Sequence, residues 1–577
     1  MSDDQPHLRS PNHSFPLITE QAWREAMPGN DPNPEKEIQG VRFSAINTLT
    51  SLPPCNPGIP TKTARPFGTL EVALPSPFPP ALRGAVVSDE AIGWRVNLAD
   101  LPTLLNWLST HDAPSARLSI GVDTANADLS AYLTYLRQSS YVVSAGGSLY
   151  LPTTNLSHWQ PGPVDLGPIQ RLTEETSDLP RLCTITVSGE QFEVWGASAA
   201  DQLALTLSWW VTYCDQLTDL GLPIETIFAR TELTLPTGSD FFPDLAKFRA
   251  LRSLIERVAQ AYGIADQVPR PRVRAVSGVR NKTFYDTDGN LLRNSTEALA
   301  SLVGGVDTLA LLPPDFLSSS PSPFGIRMVT NAYQVLRHEA HLGKVHDPAA
   351  GAYFIEDITR QLVERSWQQF LDWEDQGGFR QLLVDGTLEA HCRANLTEQT
   401  QAYRTHRRIA VGATRYGSAL EQSTEPINSA PDRGALPFER LRNAIDQSVA
   451  QGRPRPAVGV AVQPGAPVAN QRKNYVQDVL TCLGLGSVVV PIDELSKPAG
   501  APSVLAVVFC GTDAFYQSTV VELLQSSPDV TYPRWIAGGS ADTIAQVRTA
   551  GGNGVLGIGH DLIALFEPLI NAWLYET

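Results

Sequence analysis

From about residue 66 to residue 420, the chain alternates short apolar runs with longer amphipathic segments. Apolar runs bounded by turn residues predict buried strands, for example at Arg117–Val122, Leu182–Val187 and Thr308–Leu312. The amphipathic segments between them predict helices. Strands that alternate with helices form a parallel sheet, because the chain has to cross back over the sheet between two parallel strands. About 350 residues of this kind predict a (β/α)8 barrel with insertions.

One helix of this region has a clear period. An apolar stripe at helical spacing is formed by Phe241, Leu245, Phe248, Ile255 and Tyr262. Three charged residues, Lys247, Arg249 and Arg252, lie off that stripe. Proline is tolerated only in the first turn of a helix, so Pro243 predicts that this helix begins at about Ser239 or Asp240.

A second domain is predicted at residues 454–577. Five apolar runs, each followed by a helix or loop, predict strands at Ala457–Val462, Gly486–Val490, Val504–Phe509, Arg534–Ala537 and Gly554–Gly557. This pattern over about 120 residues is typical of a flavodoxin-like doubly wound domain. The preceding residues, 421–453, mix Ser, Pro, Asn and Gly with shorter helical pieces and are interpreted as a linker.

Residues 1–65 are rich in Pro, Asn and other polar residues, with one short helix predicted at about Thr19–Ala26. Two interpretations stay open for this segment from the residues alone. It is either a disordered tail or an extended arm that wraps a partner, and the family resemblance given below favours the arm.

Charge and cysteine content exclude several classes of protein. The chain has 44 basic and 60 acidic residues, a net charge of −16, which argues against nucleic-acid binding. We find no signal peptide and no apolar stretch of about 18 residues, so neither secretion nor membrane insertion is expected. The six cysteines are scattered, as in a cytoplasmic protein with reduced thiols.

The most specific motif is RMVTNAYQVLRHEAHLGKVHDPAAGAYFIE, at Arg327–Glu356. Its last ten residues resemble the run Asp-Pro-Ala-Ala-Gly-Ser-Tyr-Tyr-Ile-Glu of the adenosylcobalamin-dependent acyl-CoA mutases, the methylmalonyl-CoA mutase family above all. Further stretches that resemble this family are Phe241–Ala250, Asp288–Arg293, Gly304–Asp307 and Trp367–Gly378. The resemblance is strong over about 195–380, recognisable over 455–577 and weak before 195. It implies a barrel followed by a cobalamin-binding type of domain.

The cobalt ligand of that family is absent from its expected place. The family carries an Asp-x-His-x-x-Gly loop after the first strand of the C-terminal domain, where the His ligates cobalt and the Asp orients the ring. Here the loop reads Gly465–Asn470, with Val468 at about the ligand position and Ala466 near the Asp. No His occurs between His406 and His560. The loop therefore predicts no cobalt ligation, and His560 is interpreted as a loop or surface residue.

The barrel lacks the family's other essential imidazole. In the family, a His in a Tyr-His-…-Ala-Gly-Ala turn hydrogen-bonds the thioester carbonyl. The matching stretch here is Gln191–Ala197, and no His occurs between His158 and His338. The family's Thr-Ile-Arg-Gln-Tyr motif is also not visible. We therefore expect no catalytic, cofactor-binding or metal-ligating residue in this chain.

Together the motifs and the missing histidines imply the small, non-catalytic (beta) subunit of a heterodimeric isomerase, methylmalonyl-CoA mutase. The resemblance implies that a large subunit binds adenosylcobalamin and acyl-CoA and interconverts (R)-methylmalonyl-CoA and succinyl-CoA, a reaction of propionate metabolism. Phe509–Tyr516 resembles a run of the small subunits. Three alternatives stay open: a self-sufficient mutase with unusual cobalamin ligation, a regulatory or chaperone-like partner of a mutase, and an unrelated barrel enzyme.

Three other motifs look functional but have a simpler interpretation. His338 and His341 are spaced i,i+3, whereas the zincin motif needs i,i+4. The cluster His406–Arg408 is interpreted as a solvated basic patch on a barrel helix. The glycines of Gly554–Gly559 are interpreted as a structural turn, not a dinucleotide site.

Overall fold

The computed structural model describes most of the chain after residue 164. The described ranges there are 165–318, 322–345, 347–427, 432–495, 504–527, 530 and 532–575. Before residue 165 it describes 35–38, 41–44, 69–73, 92–97, 118–121, 129–138 and 147–150. The predicted helix at Thr19–Ala26 and most of the predicted arm, 1–65, lie outside these ranges.

The strands of the first part form one closed parallel sheet. In chain order, after a hairpin of β1 (Glu35–Ile38) and β2 (Val41–Ser44), they are β3 (Thr69–Ala73), β4 (Ile92–Asn97), β5 (Leu118–Gly121), β6 (Gly147–Tyr150), β7 (Leu182–Cys183), β8 (Ile185–Ser188), β9 (Thr231–Thr237), β10 (Arg272–Ser277) and β11 (Thr308–Leu311). Thr184 alone separates β7 from β8, so these two act as one strand. Each strand from β3 onward pairs in parallel with the next, and β11 pairs with β3. Eight parallel strands joined in a ring have the pairing pattern of a (β/α)8 barrel.

Helices follow most of these strands. They are α1 (Ser130–Gln138), α2 (Gly167–Glu175), α3 (Glu190–Val194), α4 (Ala199–Asp219), α5 (Ile224–Arg230), α6 (Phe241–Ala261), α7 (Thr287–Val303), α8 (Pro323–Gln334), α9 (Tyr353–Asp375), α10 (Gly378–Val384) and α11 (Thr387–Arg404). Helix α6 begins at Phe241 with Pro243 in its first turn, which confirms the predicted start. The antiparallel hairpin β1–β2 lies beside α9.

The second part is a five-stranded parallel sheet with helices. Its elements are α12 (Leu436–Ala450), β12 (Ala457–Val462), α13 (Pro467–Cys482), β13 (Gly486–Val489), β14 (Val507–Cys510), α14 (Asp513–Phe515), α15 (Val521–Ser526), β15 (Arg534–Ala537), α16 (Ala541–Thr549), β16 (Gly554–Leu556) and α17 (Leu562–Tyr575). All five predicted strands are present. Their order in the sheet is β13-β12-β14-β15-β16, and all pairs are parallel. This is the 2-1-3-4-5 order of flavodoxin-like domains, whose switch point lies beside β12.

Helix α12 lies within the segment that was predicted to be a linker, 421–453. Its residues Phe438, Leu441 and Ile445 are buried in the same apolar cluster as Phe566 and Ile570 of α17. A large part of that segment is therefore packed into the core of the second domain. Sequence composition missed this because α12 draws its stability from a helix more than one hundred residues away.

Helix α6 carries its charged residues into the interior. Lys247, Arg249 and Arg252 are exposed by only 1%, 2% and 6%, although they lie off the apolar stripe. The reason is that α6 is packed by α4, α7 and α9 as well as by the barrel. A charge in such a place has to be paired with an opposite charge.

The family-like run at residues 347–356 supplies the partners of Arg249. Its guanidinium contacts the carboxylate of Asp347, and its Nη2 lies 2.8 Å from Oε1 of Glu356. Glu356 also accepts a hydrogen bond of 3.1 Å from the backbone N of Gly351, which closes the turn between the two acids. The first and last residues of the ten-residue motif therefore hold α6 against α9.

None of the helices in the described ranges is long and apolar enough to cross a membrane.

Removing both negative charges beside Arg249 should destabilise the barrel strongly. We expect Asp347→Asn combined with Glu356→Gln to lower the free energy of unfolding by about 3–5 kcal/mol, because a buried cation is left without a counter-charge. Urea denaturation of purified chains measures this loss.

Two control variants separate pairing from a general loss of charge. Glu389→Ala breaks the exposed pair with Arg393, whose side chains are 49% and 68% exposed, so it should cost no more than about 1 kcal/mol. Arg249→Met should cost less than the double variant, because Asp347 and Glu356 are each 17% exposed and can regain water. Equal losses for the double variant and Glu389→Ala would contradict the proposed role of this pairing.

Candidate functional site

The carboxyl ends of β8, β9 and β10 are the face at which barrel enzymes carry their active sites. A cavity of about 40 Å³ lies there. We call it the barrel-mouth cavity; the side chains at its wall that bear on function are Glu193, Asp244, Lys247, Arg280, Tyr403 and Arg408. These come from the turns after the three strands, from α6 and from the end of α11, and they form a strongly polar wall.

The cations on one side of this cavity are already satisfied by the protein. Lys247 Nζ donates to Asp244 at 2.7 Å, to Gln202 at 2.9 Å and to the carbonyl of Pro236 at 2.6 Å. Arg408 donates to Ser239 Oγ at 2.5 Å and to Asp240 at 3.1 Å. These groups rigidify the barrel mouth, and their donors are directed at protein atoms.

Glu193 also lines this cavity. Its Oε2 accepts a hydrogen bond of 2.9 Å from the backbone N of Val279. Burial raises the pKa of this carboxyl above its usual range, although the hydrogen bond and the charge of Arg280 oppose that shift.

The turn that corresponds to the family's barrel imidazole is used for packing. Residues 190–194 form α3, and Phe192 is buried against the rings of Trp209 and Phe379, at centroid distances of 6.1 and 6.3 Å. Gly196 has φ 90° and lies so close to Leu396 that a side chain there would overlap its backbone. Gln191, beside Phe192, is half-buried. The turn therefore holds α3 and α11 together.

The switch-point crevice of the second domain is crossed by its own side chains. Gln463, directly after β12, accepts a hydrogen bond of 2.8 Å from the backbone N of Thr512. Arg472 of α13 donates to the carbonyl of Gly511 at 2.5 Å and to Asp513 at 3.1 Å. Asp513 also accepts a hydrogen bond of 2.7 Å from the backbone N of Ser540, and such bonds lower its pKa to about 2. These bonds tie the loops after β12, β14 and β15 together.

The cluster His406–Arg408 is not a solvated patch on a helix, so that interpretation was wrong for two of its three residues. Helix α11 ends at Arg404, and His406 has φ 54°, which turns its ring inward. His406 is 3% exposed, and its Nδ1 lies 3.0 Å from the hydroxyl of Tyr475. Arg408 is bound to Ser239 and Asp240, and only Arg407 is exposed.

His406 belongs to a polar junction between the two domains. Its ring stacks on Phe438 of α12 at a centroid distance of 5.6 Å. Burial, followed by the charge of Arg415, lowers the pKa of His406 to about 4. The ring is therefore neutral at pH 7, and it is a packing residue of the junction.

Further bonds fasten the loop after β10 to α12. The hydroxyl of Tyr285 donates to Asp446 at 2.9 Å, and the backbone N of Phe284 donates to Glu439 at 2.6 Å. Glu439 also pairs with Arg433 at 2.6 Å, and both side chains are fully buried. The barrel mouth and the second domain are thus joined by hydrogen-bonded, buried charges.

The other histidines that the structure describes do not assemble a metal site. His338 lies in a π-helical turn, Val335–Glu339, and is exposed, while His341 has φ 55°. His560 is half-buried in the loop after β16, as expected, and burial lowers its pKa. Within the part of the chain that the structure describes, no group of three His, Cys, Asp or Glu residues could hold a metal ion.

Several known proteins have sequences similar to this chain. The profile of the family described as methylmalonyl-CoA mutase matches residues 170–450. The methylmalonyl-CoA mutase small subunit of Porphyromonas gingivalis is 31% identical over 291 residues, which is 47% of this chain and 47% of that protein. The probable small subunit of Mycobacterium tuberculosis is 30% identical over 515 residues, covering 79% of this chain and 82% of the relative. The small subunit of Streptomyces virginiae is 27% identical over 561 residues, or 87% and 89% of the two chains.

The chain belongs to the methylmalonyl-CoA mutase family. That family depends on adenosylcobalamin, so the fit of this cofactor to the residues present can be tested. Cobalt ligation from the loop after β12 needs a donor atom, and Val468 offers only an alkyl side chain, 42% exposed in the first turn of α13. The bonds of Gln463 and Arg472 cross the crevice beside that loop. The described residues of this crevice do not fit a cobalamin ligated by this mutase-family chain.

Sequence reasoning missed the polar residues of the barrel mouth. Arg280 and Lys247 were not singled out as a cluster, since one follows β10 and the other lies on α6. The available signal was the position of Arg280 just after a barrel strand, where side chains point to the mouth.

The neutral His406 should make stability depend on pH. Its folded pKa of about 4 lies below the unfolded value near 6.5, so the unfolded chain binds the proton more tightly. The contribution is fully present above pH 6.5 and is lost as the pH falls towards 4. We expect His406→Gln to remove up to about 3 kcal/mol of this pH dependence, measured by urea denaturation at several pH values.

His391→Gln provides a contrast of opposite sign. The hydrogen bond of 3.1 Å to Asp201 raises the pKa of His391, so its contribution is present at low pH and lost as the pH rises. If the wild-type chain and His406→Gln lost stability equally between pH 6.5 and 4, the role given to His406 would be refuted.

Proposed function

We propose that this chain is the small, non-catalytic subunit of a heterodimeric, adenosylcobalamin-dependent methylmalonyl-CoA mutase. The complex would interconvert (R)-methylmalonyl-CoA and succinyl-CoA. One observation carries the proposal: the loop after β12 has Val468 where the family needs an imidazole, and Gln463 and Arg472 bond across the crevice beside it. The relatives support the proposal as well, because proteins named as small subunits align with most of this chain.

The barrel mouth supports the same proposal. General acid–base or electrophilic work on a thioester needs a side chain directed at the reacting carbonyl. The turn Gln191–Ala197 contains no imidazole, and its Phe192 is committed to packing against α4 and α10.

The work of this chain in the complex is then structural. Its partner would be a large catalytic subunit that binds adenosylcobalamin and acyl-CoA, and the small subunit would stabilise that partner through a shared interface. The polar junction between barrel and second domain suits this role. Arg433 donates to the carbonyl of Lys282 at 3.0 Å and Glu439 accepts from the backbone N of Phe284 at 2.6 Å, and these bonds keep the two domains of the small subunit in one arrangement. We propose residues 1–65 as an arm that contacts the partner.

Co-expression with a candidate large subunit tests the assignment. We expect a 1:1 complex that contains one cobalamin, with no cobalamin on this chain when it is purified alone. Native mass spectrometry gives the stoichiometry, and the cobalamin absorption spectrum gives the cofactor content. Mutase turnover by this chain alone would establish a self-sufficient enzyme instead, and a weak, exchanging complex would indicate a regulatory or chaperone-like partner.

A variant within the complex tests whether this chain takes part in the reaction. Gln191→Ala changes the turn that corresponds to the catalytic imidazole, and we expect kcat of the complex to stay within about twofold of the unchanged complex. A loss of about a hundredfold or more in kcat, with the 1:1 complex intact, would mean that this barrel performs chemistry.

A further inference from the structure

One cation of the barrel-mouth cavity differs from the others. Arg280, in the turn after β10, is 6% exposed, and both of its terminal guanidinium nitrogens are buried without a hydrogen-bond partner among the described residues. The neighbouring cations Lys247 and Arg408 are each paired with an aspartate. A guanidinium offers five N–H donors, and a buried charge without partners is costly. This side chain is therefore ready to accept a ligand.

The charges of two acids, Asp432 and then Glu193, act on Arg280, yet neither acid forms a hydrogen bond with its terminal nitrogens. Glu193 lies on the same cavity, yet its hydrogen bond in the structure comes from the backbone N of Val279. Burial raises the pKa of Glu193, which favours its neutral form and leaves the charge of Arg280 less compensated. The lining charges are the cations Lys247, Arg280 and Arg408 and the acids Glu193 and Asp244. Asp240 pairs with Arg408, and the charge of Asp432 also acts on Arg280.

A second unsatisfied group belongs to another residue of the same wall. Asn281, the next residue in the turn, donates from Nδ2 to Glu297 at 2.7 Å. Its Oδ1 is buried and has no hydrogen-bond partner in the described part of the chain. The cavity wall thus combines unpartnered donors on Arg280 with an unpartnered acceptor on Asn281.

The volume limits what can bind. When volume is counted as the space open to the centre of a water-sized sphere, one water needs about 10–15 Å³. A cavity of about 40 Å³ therefore holds about three waters or a planar anion of similar size. Formate and hydrogencarbonate have that size, and both present two oxygens in the geometry that a guanidinium binds with two parallel hydrogen bonds. Hydrogencarbonate also carries a hydroxyl that could donate to Asn281.

We propose that the barrel-mouth cavity binds a small planar oxyanion of the carboxylate type on the guanidinium of Arg280. The ligand fills the space at the carboxyl end of the strands, completes the hydrogen bonds of Arg280 and rigidifies the mouth against the second domain. The site requires no large subunit, so it stands or falls independently of the proposed function.

Binding to the purified full-length chain tests the proposal directly. Carbon-13 NMR titrations use formate and hydrogencarbonate as separate probes, with sodium chloride added to constant ionic strength as the competitor. We expect saturable binding that chloride does not abolish. Tighter binding of hydrogencarbonate supports the site with Asn281 as acceptor, and tighter binding of formate supports it with a simple carboxylate as ligand. Absence of saturable binding of either probe overturns the proposal.

Variants locate the site. Arg280→Gln should weaken binding by about tenfold to a hundredfold, the loss expected for a charge-assisted hydrogen bond, while Arg280→Lys should retain part of the affinity. Arg407→Gln removes an exposed arginine of the same region and should leave the affinity unchanged. Equal affinity in wild type and Arg280→Gln overturns the proposal.

If the Arg280 variants fail to fold, the proposal can be tested with a crystal structure of the wild-type chain, grown in the presence of hydrogencarbonate. A trigonal anion on the guanidinium supports the proposal. Two or three ordered waters with no anion at a saturating concentration overturn it.

Discussion

The barrel depends on the pairing of cations that helix α6 carries into its interior. Lys247 pairs with Asp244, one turn away on the same helix. Arg249 pairs with Asp347, in the loop before α9, and with Glu356, in the first turn of α9. Arg252 pairs with Asp307, just before β11, at 2.6 Å. An unpaired charge at these depths would cost several kcal/mol, so each pairing fixes where a neighbouring element has to lie. Helix α6 is thereby tied to β11 and α9 by directional contacts, in addition to apolar packing.

The same constraint shapes the barrel mouth. A catalytic site needs donors and acceptors aimed at the place where charge develops in the reaction, and it needs room for the reacting group. Here the donors of Lys247 and Arg408 are aimed at the protein itself, and Tyr403 is packed so tightly that Gly434 has no space for a side chain. Pairing makes this part of the face rigid. Among the cations of this wall, Arg280 is the one whose terminal nitrogens have no hydrogen-bond partner among the described residues, so it can bind a ligand.

The pattern of apolar positions predicted the strands and α6 well, because each depends on the local period of the chain. It could not predict that Arg249 is buried. The apolar stripe shows which face of α6 meets the barrel, but the burial of the opposite face depends on α9, which follows about one hundred residues later. The prediction for His406 was wrong for a related reason. His406 itself has a left-handed backbone conformation after the end of α11, and its ring contacts Tyr475 and Phe438, which belong to the second domain. The missing histidines, by contrast, needed only the sequence.

The motifs that carry the family resemblance serve the fold of this chain. Asp347 and Glu356 begin and end the most specific run, and their function here is to neutralise Arg249. Glu297, in α7 beside another of these stretches, Asp288–Arg293, neutralises Lys282 at 2.5 Å with both side chains 1% exposed. Such pairs are needed wherever the same helices pack around the same barrel, whether or not a reaction takes place inside it. A strong match in these motifs therefore identifies the scaffold, and the reaction has to be judged from the turn Gln191–Ala197 and the loop Gly465–Asn470, where the resemblance places the family's imidazoles.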